Sequence, residues 1–207
     1  MNQRRNGSST GIMTATAVLS AVSFVLAFFE FPVPLSPSFA RMDLSDFPAL
    51  IGAFAFGPMA GVMIELIKNL LQVFSSSTGG IGELANFLIG ASYVSTAGWI
   101  YQRNRSKKTA WIAGIAGSIV MGFVAALANY YILLPLFEQF LPVDRLIASF
   151  MEFMPFIQTK ADIVLFNALP FNLLKGLIIS AFTMLVYKRL SPLLKGTKTG
   201  GAAHARV

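Results

Sequence analysis

The chain has 207 residues, of which 55% are hydrophobic and 12% charged, with a formal net charge of +7. Soluble domains carry about 25% charged residues, and a soluble chain this apolar would expose patches that aggregate. The composition therefore excludes an ordinary soluble domain and points to a polytopic helical membrane protein. No cysteine is present, so disulfides and thiolate chemistry are ruled out. The single histidine, His204, stands in the polar tail GTKTGGAAHARV, read as disordered, so no histidine-built metal or catalytic site is expected. The basic residues gather at the ends of apolar segments, as juxtamembrane charges do, and not in a patch suited to nucleic acid.

A spanning helix needs about 20 mostly apolar residues, and six segments are candidates. The first runs from Ile12 to Phe31; its apolar run is too long for a cleaved signal peptide. The second, Asp46 to Phe56, is short, and AFGPMAG joins it tightly to the third, Met59 to Phe74. These two form a hairpin of short helices, or one of them does not fully span. The fourth covers Gly82 to Tyr101, the fifth Ala110 to Phe137 and the sixth Asp162 to Tyr187. Two long connections remain. EFPVPLSPSFARMDLS, between segments one and two, holds three prolines that forbid regular helix. EQFLPVDRLIASFMEFMPFIQTK, between five and six, centres on DRLIASFMEFM, whose apolar spacing predicts an amphipathic helix lying on the membrane surface.

Arg4 and Arg5 precede segment one. Arg103, Arg105, Lys107 and Lys108 lie between segments four and five, and Lys188, Arg189, Lys195, Lys198 and Arg206 follow segment six. These three clusters hold 11 of the 16 basic residues, which predicts that both termini are cytoplasmic. The expected fold is an all-α integral membrane protein, a six-transmembrane-helix bundle with long outward loops between helices 1 and 2 and helices 5 and 6. Residues 1–11 form a cytoplasmic segment, 12–190 the membrane domain and 191–207 the tail.

Ionisable groups within a bilayer cost several kcal/mol (~2.5–3.5 on insertion scales), so each is a functional candidate. Segment three carries Glu65, Lys68, Asn69 and Gln72 on one helical face. That face either lines a ligand or proton path, or holds an intrahelical Glu65–Lys68 pair with amides bonding neighbouring helices. Segment six carries Asn172 and Lys175, three apart and on one face, and segment five carries Asn129 at comparable depth. No acid within segments five or six neutralises Lys175. It therefore calls for a ligand acceptor, a carboxylate from another helix such as Glu83 or Glu65, or an escape to the interface. Asn167 is read as serving the backbone near Pro170. Ala17 and Ala21, four apart beside Ala15 and Ser20, form a small-residue face that permits close helix approach within the protein or with a partner. SSSTGGIGE lacks the lysine and following Ser/Thr of a phosphate loop. No nucleophile–base set or metal cluster is evident, so no enzyme is expected.

Taken together, RMDLSDFPALIGAFAFGPMAGVMIELIKNLLQ, GIGELANFLIG, LANYYILLPLF and PFNLLKG resemble the riboflavin-specific substrate-binding subunits of energy-coupling-factor (ECF) transporters. The resemblance implies a vitamin-binding bundle in the bacterial plasma membrane. Such a bundle works with a transmembrane coupling subunit and two ATP-binding subunits, carrying riboflavin or FMN as cargo and no cofactor. It also implies that Asn129, Asn172 and Lys175 bond the flavin ring, that Phe39, Met42 and Asp43 in the outward loop contact the ligand, and that Ala17 and Ala21 dock the coupling subunit. The chemistry is consistent: carboxamides both donate and accept, and an ammonium is a strong donor to a ring carbonyl. Arg41, Arg145 and Lys160 are the candidates for a phosphate. The rival reading is a stand-alone proton-coupled secondary transporter of a small planar heterocycle, working through the Glu65/Lys68 face. The chain is short for that and shows no inverted repeat.

Overall fold

The computed structural model describes residues 3–32, 41–76, 78–139 and 142–195. Its helices are α1 (Gln3–Leu26), α2 (Asp46–Phe56), α3 (Pro58–Gln72), α4 (Ile81–Arg103), α5 (Lys107–Ala128), α6 (Leu134–Phe137), α7 (Val143–Met151), α8 (Lys160–Ile163) and α9 (Leu169–Lys195). A π turn, Asn129–Leu133, links α5 to α6, and a second, Val164–Ala168, links α8 to α9. Two two-residue strands, β1 (Phe31–Pro32) and β2 (Arg41–Met42), pair antiparallel and close the proline-rich connection. The continuous runs Lys107–Phe137 and Lys160–Val186 are long and apolar enough to cross a membrane.

Most expected segments coincide with helices, and three details differ. The first helix starts at Gln3 and stops at Leu26, so the last five residues of segment one lie beyond its end; the FFEFPVP stretch that follows brings in prolines, which a helix interior does not tolerate. Segments five and six each contain a π turn that their apolar runs did not announce. The last helix extends through Lys195, past the expected boundary at 190. Residues 196–207, including His204, and Phe39 lie outside the described residues.

α2 and α3 form the hairpin. Gly57, at φ 110°, makes the turn between them in a conformation that glycine alone adopts freely, and Pro58 starts α3. At about 1.5 Å per residue these helices are ~16 and ~22 Å long, both short of a ~30 Å bilayer core. α2 is buried nearly all round, as a helix apolar on every face should be. Leu50, Ala53 and Phe54 from α2 form the main core with Ile64, Tyr93, Ala97, Tyr101, Met121 and Ile179, and Phe54 stacks on Tyr101 at 4.3 Å. α5, by contrast, turns Ile112, Ile115, Ile119 and Phe123 outward, an apolar stripe suited to lipid.

Small residues set the register of α4, α5 and α9. A methyl at Gly114 would collide with Ser180, one at Gly176 with Ser118, and one at Gly117 with Tyr93. Tyr93 hydroxyl in turn lies 2.8 Å from Ser180 Oγ and donates to the Gly176 carbonyl at 3.1 Å. At one end of the bundle, Gln102 donates to the Phe54 carbonyl at the close of α2. The α4–α5 turn and the C-terminal part of α9 meet at that same end. A smaller core, with Leu146 and Phe150 of α7 against Leu134, Ile157, Ile163 and Val164, seats the amphipathic helix at the opposite end.

Candidate ligand-binding site

α2 begins part-way through the bundle, so the residues just before it, not a helix, fill the space above its N-terminus. Those residues carry the acids that meet Lys175. Asp43 Oδ2 accepts a hydrogen bond from Lys175 Nζ at 3.3 Å, and Asp46 Oδ2 lies 3.0 Å from the same nitrogen. The Asp46 contact is the shorter of the two, so the ammonium sits as an ion pair between both carboxylates. Lys175 is 4% exposed. Its partners are thus carboxylates from outside its own helix, as its sequence context required, but they are Asp43 and Asp46 and not Glu83 or Glu65. Glu83 is occupied elsewhere, accepting from Ser76 at 2.7 Å beside a cleft lined by Ala27, Phe28, Glu30, Gln72 and Ser75.

The polar face of α3 joins the same cluster. Lys68 lies 2.7 Å from both Asp46 Oδ1 and Glu65 Oε2 and donates to Ser45 Oγ at 3.0 Å. Asn69 donates to the Glu65 carbonyl at 2.8 Å, and Asn86 of α4 donates to Asn69 at 3.1 Å. The intrahelical Glu65–Lys68 pair is therefore present, and it is one link in a longer chain. Gly90 of α4 leaves room for it: a methyl there would lie 2.6 Å from the Glu65 carboxylate. The acids Asp46 and Glu65 and the base Lys68 are fully buried. Burying such charges requires that each lie against an opposite charge, because a lone buried charge costs several kcal/mol.

Asn172 is buried and donates to the Ala168 carbonyl at 2.9 Å; half-buried Asn129 donates to the Ala125 carbonyl at 2.8 Å. Each amide spends one N–H on its own helix and keeps its oxygen and second N–H. Asn172 thus serves backbone next to the π turn, a role the sequence suggested for Asn167, which is also buried. The expected common depth does not hold. Gly122 faces Leu169 and Leu173, and Ser118 faces Gly176, which places Asn172 near the level of Gly122. Asn129 is seven residues further along α5, about 10 Å at 1.5 Å per residue. The two π turns pack against each other, so Asn129 stands at the level of that junction, and Asn172 and Lys175 follow about one and two turns further along α9. Met42, the residue before Asp43, is buried. Ser45, Asp46 and Asn86 were not singled out from sequence. The signal for Asp46 was present: DLSD sets two acids three apart at the start of an apolar helix.

Of the phosphate candidates, Lys160 is engaged with Glu138. Ala17 and Ala21 are exposed on α1, away from the bundle core.

A sequence profile described as "ECF transporter, substrate-specific component" matches residues 12–187. The chain belongs to this family. A riboflavin transporter, RibU, of Staphylococcus aureus is 38% identical over 197 residues, spanning 94% of this chain and 99% of the relative. The Bacillus subtilis riboflavin transporter FmnP is 30% identical over 183 residues, spanning 87% and 92%. A solved structure described as the S component of a bacterial ECF transporter superposes with a TM-score of 0.73 at 36% identity, covering 90% of this chain and 99% of the other. The Listeria monocytogenes protein ThiT, at 17% identity and a TM-score of 0.59, shares the fold. The substrate-specific component is accordingly an all-α, multi-pass membrane protein.

Proposed function

We propose that this substrate-specific component is the high-affinity riboflavin-binding subunit of an ATP-driven importer. It hands its ligand across the plasma membrane with a coupling subunit and two ATP-binding subunits, and it catalyses no reaction. The observation that carries the reading is Lys175. A 4% exposed ammonium sits in an apolar bundle, paired to one oxygen each of Asp43 and Asp46. An ammonium has three donors, so it retains capacity for a ring carbonyl, and Asn172 on the same face retains both an acceptor and a donor. The riboflavin transporters of similar sequence support the choice of flavin. In this reading the six segments span the membrane with both termini cytoplasmic, and the residues before α2, with Met42, Asp43 and Phe39, cover the ligand. Detergent-purified protein titrated with riboflavin should quench flavin fluorescence at close to one equivalent. Absence of saturable binding would overturn the assignment.

A further inference from the structure

We infer that Asp46 and Lys68, neither of which is exposed to a ligand, are positioning residues that keep the Lys175 ammonium available for the flavin; this rests on the reading of Lys175 given above. Lys68 is saturated. Its three donors face Asp46 Oδ1, Glu65 Oε2 and Ser45 Oγ at 2.7, 2.7 and 3.0 Å, and its side chain is 0% exposed. It has nothing left to offer a ligand and no path to one. Its effect is on Asp46, whose Oδ1 it holds. Held that way, Asp46 presents only Oδ2 to Lys175, at 3.0 Å. Asp46 therefore balances the Lys175 charge through one oxygen and, with Asp43 on a second ammonium hydrogen, leaves the third free of protein carboxylates. Asp43, the other carboxylate on Lys175, is less buried, with a side chain 13% exposed, and pulls from the loop side. The balance between the two acids fixes where the ammonium points. Freed from Lys68, Asp46 would close on Lys175 with both oxygens. Without its own charge, Asp46 would release Lys175 to Asp43. Either change takes donors away from the ligand while leaving every ligand contact in the sequence intact.

Two variants test this without stranding a buried charge. Asp46→Asn leaves two neutral pairs, Lys68 with Glu65 and Lys175 with Asp43. Glu65→Gln combined with Lys68→Met removes one charge of each sign and leaves Asp46 to Lys175. Riboflavin affinity is measured by fluorescence quenching, and the absorption spectrum of the bound flavin reports whether an ammonium still bonds its ring, with Lys175→Met as the reference. Both variants should bind about 5- to 50-fold more weakly than the unmodified chain, and their bound-flavin spectra should shift toward that of Lys175→Met. Lys68→Arg, which keeps the anchoring charge, should retain most of the affinity. Affinity within about twofold of the unmodified chain in Asp46→Asn, or weakened binding with an unshifted spectrum, would overturn the positioning role. That result would leave the riboflavin reading standing. Failure of the unmodified chain to bind riboflavin, or full affinity in Lys175→Met, would overturn that reading and this inference with it.

Discussion

At the scale of single residues, the polar groups of α9 divide by what they have left to give. Asn172→Ala removes an amide that the proposed function sets against the flavin ring, together with a backbone bond to Ala168, and Lys175→Met removes the donor between two acids. Each should weaken riboflavin binding by ~1–3 kcal/mol, about 5- to 150-fold, in fluorescence titrations. Asn167→Ala should cost much less affinity, and a larger loss there would show that the wrong face was assigned. Gly90 offers a different test. A methyl at this position meets a carboxylate that Lys68 holds, so it cannot swing aside cheaply. Gly90→Ala should destabilise the protein by ~1–3 kcal/mol, seen as a lower thermal midpoint in detergent, whereas an unchanged midpoint would mean the cluster adapts. Sequence spacing was enough to find Lys175, Lys68 and Glu65, because a charge in an apolar run stands out. It paired Glu65 with Lys68 correctly but missed Asp43 and Asp46 as the partners of Lys175, since that pairing depends on α2 starting at the depth of Lys175. No one-dimensional pattern encodes that depth.

Among the elements, α1 and α2 contrast most. α2 is buried all round, and α1 exposes Ala17, Val18, Ala21 and Val22 on one side. Small side chains at 17 and 21 let another helix approach closely, and in the proposed function that helix belongs to the coupling subunit. Ala17→Trp and Ala21→Trp should therefore abolish riboflavin uptake by the assembled transporter while leaving the ligand affinity of the isolated subunit nearly intact. Equal loss of binding would place these alanines in packing within the bundle. The helical segments themselves were legible from apolar runs, prolines and the Gly57 turn. The two-residue β1–β2 pairing was not, because a ladder so short carries no periodic signal.

For the whole molecule, no phosphate loop was found in the sequence, so energy has to come from outside the chain if it transports. Proteoliposomes holding this subunit alone should not accumulate riboflavin under a proton gradient, and adding the coupling and ATP-binding subunits with ATP should restore accumulation. Proton-driven accumulation by the isolated subunit would favour the secondary-transporter reading, with the Glu65–Lys68 pair as its proton site. The two π turns bear on how such a subunit diversifies. An α-helix advances about 100° per residue, so each π turn, by taking in one additional residue, rotates everything beyond it relative to the rest of its helix. The long stretches of α5 and α9 are committed to one another through Gly114, Ser118, Gly176 and Ser180, and that contact tolerates little change. The turns act as a phase joint. Side chains beyond the joints, on α6 and α8, are set at an angle that this seam does not dictate. Asn172 and Lys175 share α9 with the seam and keep its phase, so the far end can vary while those two stay fixed.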